Sequence, residues 1–240
     1  MVTSYRLFRL AAYALVILAL AMSAVKTVPK AIAQADSIKD GIFQPGSKPY
    51  GKTYDEWSAA LWQWILSLPS DKSPNNDNTG KNCHQGQTGP VWYLWSTFGG
   101  AAERSCTIPS DKAIFFPLLS AECSFAEYPQ YKTESDLRKC AKDQADKITS
   151  MEATIDGRKI TDLQKFRVQS PPFEVTLPKN NVLGSPAGST KSVSDGFWIM
   201  LSPLSPGKHE LHFSASAVDF TSSAPINIAV AATYHLNISK

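Results

Sequence analysis

The chain has 240 residues, 43% of them hydrophobic, and carries 24 lysines and arginines against 21 aspartates and glutamates, a net charge of +3. This length suits one large domain or two small ones, with ample apolar material for a core. The numbers of basic and acidic residues are nearly equal, and the basic residues are not clustered in the sequence. This excludes a nucleic-acid-binding protein, whose affinity needs a concentrated positive face.

Residues 1–33 have the pattern of a signal peptide. Two arginines precede an uncharged apolar run from Leu10 to Val25, and Ala31-Ile32-Ala33 forms a small-x-small cleavage site. This run is shorter than the roughly 20 residues that span a bilayer, although retention of the leader as an anchor is the alternative. We expect cleavage after Ala33 or Ala35. Export then leaves 20 basic and 21 acidic residues, and no apolar segment long enough for a membrane span.

Residues 34–52, rich in Gly, Pro and Lys, are predicted to form an irregular arm, and residues 53–240 a single globular domain. The domain begins with a helix, because Thr53 and Glu56 form a capping box. One apolar stripe follows at helical spacing and ends before Pro69; it comprises Trp57, Ala60, Leu61, Trp64, Ile65 and Leu68.

Trp62 lies off this stripe and allows two interpretations. Either the helix is covered on a second side and Trp62 belongs to the core, or its indole is exposed and stacks on a ligand. Trp62 is therefore a candidate ligand-binding residue.

The polar loop 70–90 also has two interpretations. Asn75, Asp77 and Thr79 before Gly80 resemble the start of a calcium loop, but the twelfth position, which needs a bidentate glutamate, is Gly86. We therefore predict an Asx-rich turn and no metal site.

Four cysteines follow in an exported chain, which indicates two disulfides. Their spacings of 23, 17 and 17 do not suit zinc, which favours paired C-x2-4-C motifs. Sequential pairing is topologically simplest, so we predict Cys83–Cys106 and Cys123–Cys140. The alternative pairs Cys106 with Cys123 and Cys83 with Cys140.

The remaining pattern predicts a mainly β (α+β) fold, a β-sandwich or jelly-roll-like domain with two flanking α-helices. Residues 53–148 form its helix, strand and disulfide part, and residues 149–240 its β-rich part. In the first part, residues 91–98 and 113–119 read as buried strands, with Pro117 at an edge or bulge. A second helix begins at Thr133.

From Ile148 the apolar period becomes two. Asp156-Gly157 predicts a tight hairpin turn, and further strands are expected at 164–170, 173–177, 196–201, 208–218 and 226–239. In the last strand one face is apolar, and the other carries Asn227, Thr233, His235, Asn237 and Ser239.

Four residues are singled out as candidate ligand-binding positions: Trp62, His84, Glu122 and His209. No nucleophile elbow, zinc-binding H-E-x-x-H or phosphate-binding glycine loop is present, so no catalytic residue and no cofactor is assigned. The alternative is an acid-base or metal site in which His84, His209 or His235 converges with Glu122, Asp195 or Asp219.

Several short motifs are shared with a known group. The pattern W-x3-L-W-x-W, C-x5-GPVW, C-x-I-P, K-A-I-F-F-P, E-C-S, I-D-G and S-D-G-F-W occurs at Trp57–Trp64, Cys83–Trp92, Cys106–Pro109, Lys112–Pro117, Glu122–Ser124, Ile155–Gly157 and Ser194–Trp198. In these elements the chain resembles an uncharacterised group of exported, signal-peptide-bearing bacterial and archaeal proteins. The resemblance implies a coherent fold and no particular reaction.

These observations predict a secreted or extracytoplasmic module of the cell envelope without catalytic activity. Its partner would be a glycan or an envelope protein. The alternative is a secreted hydrolase that acts on an envelope or extracellular polymer through dispersed histidines and acidic residues.

Overall fold

The computed structural model of the protein describes residues 38–219 and 226–240, so the predicted leader and its cleavage site lie outside the described residues. Two α-helices are present in this part of the chain, α1 (Tyr54–Ser67) and α2 (Glu134–Ala145). Its strands are β1 (Ile38–Lys39), β2 (Ile42–Phe43), β3 (Val91–Tyr93), β4 (Gly100–Pro109), β5 (Ala113–Ser124), β6 (Ile148–Ile155), β7 (Arg158–Lys159), β8 (Arg167–Gln169), β9 (Phe173–Leu177), β10 (Gly188–Leu201), β11 (Gly207–Asp219) and β12 (Ile226–Ser239).

The described strands form two sheets, which confirms the predicted mainly β class. The first sheet has the order β1-β2-β10-β5-β3, with β8 and β9 also paired to β10. The second has the order β4-β12-β11-β6-β7. The sheets face each other in a sandwich-like arrangement, since the rings of Phe116 in β5 and Phe213 in β11 lie 4.7 Å apart.

The two helices pack on opposite faces of the first sheet. Tyr54 of α1 contacts Phe115, whose side chain alternates with that of the inward-facing Phe116. Helix α1 therefore covers the outer face. Helix α2 packs on Val193, which shares the inner face with Ile199, the partner of Phe116. Helix α2 therefore lies on the same side of the first sheet as the second sheet.

Both predicted disulfides are confirmed. Cys83–Cys106 ties the polar loop to β4, and Cys123–Cys140 ties β5 to α2. The first one helps to cover the free edge of β4, which pairs only with β12 among the described strands. Loop residue Thr79 accepts a hydrogen bond from the backbone N–H of Ser105 there, and a covered edge resists pairing with other chains.

Four elements differ from the sequence-based expectation. Of the predicted strand 164–170 only Arg167–Gln169 lies in the sheet, because Leu163–Phe166 forms a 3-10 helix that buries Leu163 and Phe166. The arm is not wholly irregular, because β1 and β2 extend the first sheet through a pairing of Ile42 with Leu201. Only residues 91–93 of the expected strand 91–98 lie in the sheet. Strand β4 was not predicted. Its buried positions are occupied by Ala102, Arg104, Cys106 and Ile108, and the charge of Arg104 interrupts the alternation of apolar and polar residues that would have indicated a strand.

Other predictions are confirmed in detail. Glu56 accepts a hydrogen bond of 2.8 Å from the backbone N–H of Thr53 at the start of α1. Pro117 lies next to a β-bulge, where Phe197 pairs with Leu119 but Trp198 pairs with Pro117. Asp156 and Gly157 both have positive φ angles in the turn between β6 and β7.

A candidate binding pocket at the open end of the sandwich

A cavity of about 350 Å³ lies between β5 of the first sheet, α2, and strands β11 and β12 of the second sheet. We call it the open-end pocket. It exists because α2 and the second sheet cover neighbouring parts of the same face of the first sheet and leave a gap between them. Its apolar wall consists of Trp95, Phe98, Leu119, Ile148, Ile228 and Val230.

Two of these apolar side chains are exposed. Phe98 has 48% of its surface accessible and Ile228 has 39%, and both belong to the small set of exposed large hydrophobic residues in the described part of the chain. Ile228 points into the sandwich, since it lies two residues before the buried Val230. An inward-facing isoleucine that remains exposed marks an incompletely filled end of the core.

One wall of the pocket is the segment that crosses from the first sheet to the second. After β3 this chain leaves the sheet and reaches β4 through Gly99 and Gly100, both at positive φ. The Thr97 hydroxyl donates to the Gly100 carbonyl and accepts from the Gly99 N–H, at 3.1 and 3.3 Å. These local bonds shape the turn that presents Phe98 at the mouth of the pocket.

A buried arginine holds this wall from behind. Arg104 is 1% exposed, and its guanidinium donates to the carbonyl oxygens of Trp95 and Ser96 at 2.6 and 2.8 Å. It also donates to the Tyr234 hydroxyl at 2.9 Å, which in turn donates to the Trp95 carbonyl at 2.7 Å. Two further bonds reach the carbonyls of Asp77 and Pro74. A cation without water is stable only when its donors are satisfied in this way.

The polar side chains of the pocket are those of Ser96, Thr97, Ser120, Tyr128, Gln144 and Lys147. The Ser96 hydroxyl is buried and has no partner among the described residues. The Tyr128 hydroxyl accepts a 3.2 Å hydrogen bond from the side-chain amide of Gln144, so its own proton is available to an acceptor. No aspartate or glutamate of the described residues lines the cavity. The pocket therefore suits a largely apolar ligand that has one or a few polar atoms.

The sequence-predicted candidates do not form this pocket. Trp62 is 3% exposed, so the core interpretation is confirmed and an exposed indole is excluded. Its ring packs edge-on against Trp95 with the centroids 4.9 Å apart. Trp62 therefore supports the pocket wall through Trp95.

His84 lies on the exposed loop, away from any reactive thiol. Cys83 beside it is bonded to Cys106, and Nε2 of His84 lies 3.1 Å from the Gln85 side-chain amide. The Cys83-His84 sequence thus marks the point where a disulfide attaches the polar loop to β4.

His209 and His235 each bind carboxylates on the second sheet. Nδ1 of His209 lies 2.7 Å from Asp156 and its Nε2 lies 2.9 Å from the Ser205 carbonyl. Both partners are acceptors, so the arrangement favours the doubly protonated ring. Partial burial opposes this charge, but the two hydrogen bonds and the Asp156 charge outweigh it and raise the pKa of His209. His235 lies 2.8 Å from Glu103 and 3.6 Å from Glu210.

Glu122 lies in a separate buried cluster on β5. Its carboxyl group accepts a hydrogen bond from the Ser192 hydroxyl. Burial, followed by the hydrogen bond and charge of Glu127, raises the pKa of Glu122 well above its usual value. Asp195 instead pairs with Arg167 at 2.9 Å.

The alternative site does not form among the described residues, since neither Glu122 nor Asp195 contacts His84, His209 or His235. His209 and His235 instead line one cavity together with Asp156 and Glu210. Each group has its own local partner, and the side chain of Asp219 is outside the description. The polar loop follows the Asx-turn prediction, since the Asp77 carboxylate accepts from the backbone N–H groups of Thr79 and Asn82. Within the described residues no group of three metal-ligating side chains has a geometry that could hold a metal ion.

Sequence reasoning missed the pocket residues Ser96, Phe98, Gln144 and Ile228. Two weak signals existed: Phe98 ends an aromatic run before two glycines, and Ile228 lies on the inward stripe of the last strand. Neither could show that this end of the sandwich is unfilled, since that depends on where α2 packs.

We compared the chain with protein-family models, curated protein sequences and solved structures, and none of them matches it.

Proposed function

We propose that the protein is an exported, extracytoplasmic module that binds a small, mainly apolar molecule in the open-end pocket without catalysing a reaction. The observation that carries the proposal is the exposure of Phe98 and Ile228 at the mouth of a cavity that also contains a buried, unpartnered Ser96 hydroxyl. Ligand sites of this size are typically concave, mainly apolar and supplied with a few polar groups.

Export is supported by the leader pattern and by the two disulfides, which persist in oxidising compartments. No helix among the described residues is long and apolar enough to cross a membrane. The intact mass of protein recovered from its native host tests export directly. A chain that begins at Gln34 or Asp36 supports it, and a full-length chain in the membrane fraction contradicts it.

The binding test uses N-phenyl-1-naphthylamine, an uncharged dye that fluoresces in apolar sites, and a pair of matched variants. Ala217 lines the pocket, whereas Ala229 is exposed on the other face of the neighbouring strand. Ala217→Phe should fill the cavity and abolish dye binding, and Ala229→Phe should leave binding unchanged. Equal binding by both variants would reject the pocket.

Competitors then identify the class of ligand. Long-chain carboxylic acids and their methyl esters should displace the dye, since they combine an apolar body with one polar end. A panel of oligosaccharides tests the glycan alternative, because sugars are held mainly through hydrogen bonds and not through an apolar body. Displacement by sugars alone would overturn the apolar-ligand proposal. The hydrolase alternative gains no support from the positions of His84, His209, Glu122 and Asp195.

A further inference from the structure

The open-end pocket lies against a free edge of strand β5. On one side β5 pairs with β10 along most of its length. On the other side it pairs, within the described part of the chain, only with β3, and only from Ala113 to Phe115. The chain after β3 stays beside β5 as far as Leu94, whose N–H donates to the Phe115 carbonyl at 3.0 Å. Beyond this point the edge of β5 faces the gap that forms the pocket.

The pocket reaches the backbone at this edge. Leu119, Ser120 and Ala121 all line it. Consecutive side chains of a strand point to opposite faces of the sheet. A cavity on one face would therefore contact only alternate residues, so contact with three consecutive residues places the cavity along the edge of the strand.

Ser120 directs its backbone N–H and carbonyl groups toward this edge. In an antiparallel pair, every second residue directs these groups to the partner strand, and the residues between them direct theirs away. The N–H of Phe125 donates to the Lys191 carbonyl on β10 at 3.2 Å. Ala121, four residues earlier, therefore also faces β10, and Ser120 faces the other side. The close approach of Gly196 agrees, since the two Cβ positions are nearest in pairs without mutual hydrogen bonds.

The two backbone groups of Ser120 lack a partner. Among residues 38–219 and 226–240, no group hydrogen-bonds to its N–H or its carbonyl. The free stretch is short, because at Ser124 the carbonyl accepts the N–H of Tyr128 at 3.0 Å. Backbone N–H and carbonyl groups are strong hydrogen-bonding groups that favour a partner. An ionised carboxylic acid could accept from the N–H but has no donor for the carbonyl, whereas a peptide backbone supplies both.

We infer that the ligand of the open-end pocket is a short, extended, apolar peptide that adds to the edge of β5 and forms backbone hydrogen bonds with the N–H and the carbonyl of Ser120. This inference rests on the proposed function and names its ligand class. In strand addition, main-chain bonds give affinity and pockets for alternate side chains give specificity. Here the side chains on the inner side enter the cavity beside Phe98 and Ile228.

Amide hydrogen exchange, followed by NMR, tests the pairing directly. The probe is N-acetyl-Leu-Phe-Leu-amide, which has no charged end. In the free protein the amide of Ser120 should exchange faster than that of Ala121, which bonds to β10. Millimolar peptide should slow exchange at Ser120 by about tenfold or more, because a new hydrogen bond protects the amide. Ala121 is the internal control and should change little.

Displacement of the dye by the peptide tests the same bonds through matched variants. Ser120→Pro removes the edge-facing N–H, at a kind of position where strands tolerate proline. It should weaken peptide binding by about fivefold, the loss of one hydrogen bond, and leave dye affinity unchanged, because the dye has no carbonyl to accept this N–H. Ser120→Ala keeps the N–H and should bind the peptide like the wild type.

The peptide methylated on its backbone nitrogens supplies a second measurement on the wild-type protein, in case Ser120→Pro does not fold. It lacks the donors and should bind at least about fivefold more weakly. Equal binding of both peptides, or no protection of Ser120 at millimolar peptide, would overturn the inference. Displacement of the dye by long-chain acids but not by the peptide would leave the pocket standing and reject this ligand class. Absence of dye binding would refute the apolar pocket, and protection of Ser120 in that case would still support strand addition.

Discussion

The guanidinium of Arg104 donates a hydrogen bond of 2.6 Å to the backbone carbonyl of Trp95. This bond joins an edge strand of the second sheet to the segment that leaves the first sheet, so the pocket wall is fixed by a charged group in the core. Buried cations are costly unless all their donors are used. Each of the three guanidinium nitrogens of Arg104 donates at least one hydrogen bond, to a carbonyl oxygen or to the Tyr234 hydroxyl.

We predict that Arg104→Lys lowers the free energy of unfolding by about 3 kcal/mol or more, because one ammonium cannot reach acceptors on three separate segments and leaves some of them unpaired. Urea denaturation measures this loss. Arg104→Lys should also bind N-phenyl-1-naphthylamine more weakly, because Trp95, which forms part of the pocket wall, is no longer held in place. A loss below about 1 kcal/mol would show that the bonds are dispensable.

Gly196 is required by a close approach of two strands. A Cβ at this position would lie 2.4 Å from Cβ of Ser120 and 2.6 Å from the Leu119 carbonyl oxygen. Because much of the obstruction is backbone, Gly196→Ala must separate β10 from β5, and we expect a destabilisation of about 1–3 kcal/mol, typical of overpacked cores. Gly46→Ala is the control, since nothing lies within 4 Å of its Cβ. Equal thermal midpoints for the two variants would contradict the steric explanation.

His209 should make stability depend on pH near neutrality. Its pKa is raised in the folded state, so its contribution is fully present below the usual value of 6.5 and is lost as the pH rises through the folded-state pKa. We expect His209→Gln to flatten this part of the stability profile, measured by chemical denaturation at several pH values. His84→Gln, a change in an exposed loop, should leave the profile unaltered. A fall in stability that persists in His209→Gln would assign it to another group.

Trp62 and Phe98 should respond in opposite ways to truncation. Trp62 is buried against Trp95, so Trp62→Ala should cost about 3–5 kcal/mol of stability. Phe98 is 48% exposed at the pocket mouth, so Phe98→Ala should cost less than about 1 kcal/mol and weaken dye binding. Thermal unfolding and dye titration on the same samples separate the two effects. Unchanged dye affinity in Phe98→Ala would remove this residue from the site.

The sequence by itself determined the local features of this protein. The capping box at Thr53, the hairpin at Asp156-Gly157 and the alternation of β12 depend on neighbouring residues and appear where they were predicted. The disulfide pairing was also correct, because short connections join adjacent elements. Gly196 lies in the S-D-G-F-W motif that the chain shares with the group of exported proteins. Only its pairing with Ser120 in the sheet explains why a glycine is needed at this position.

Tertiary structure decided the features that depend on residues far apart in the chain. Arg104 concealed a buried strand from sequence reasoning, because its hydrogen-bond partners come from three other segments and no local pattern shows that a buried charge is satisfied. The burial of Trp62 depends on Trp95. The open-end pocket arises where α2 and the second sheet leave part of the inner face of the first sheet uncovered. Local periodicity indicates which face of an element is apolar, but the packing of distant elements decides which part of that face remains open.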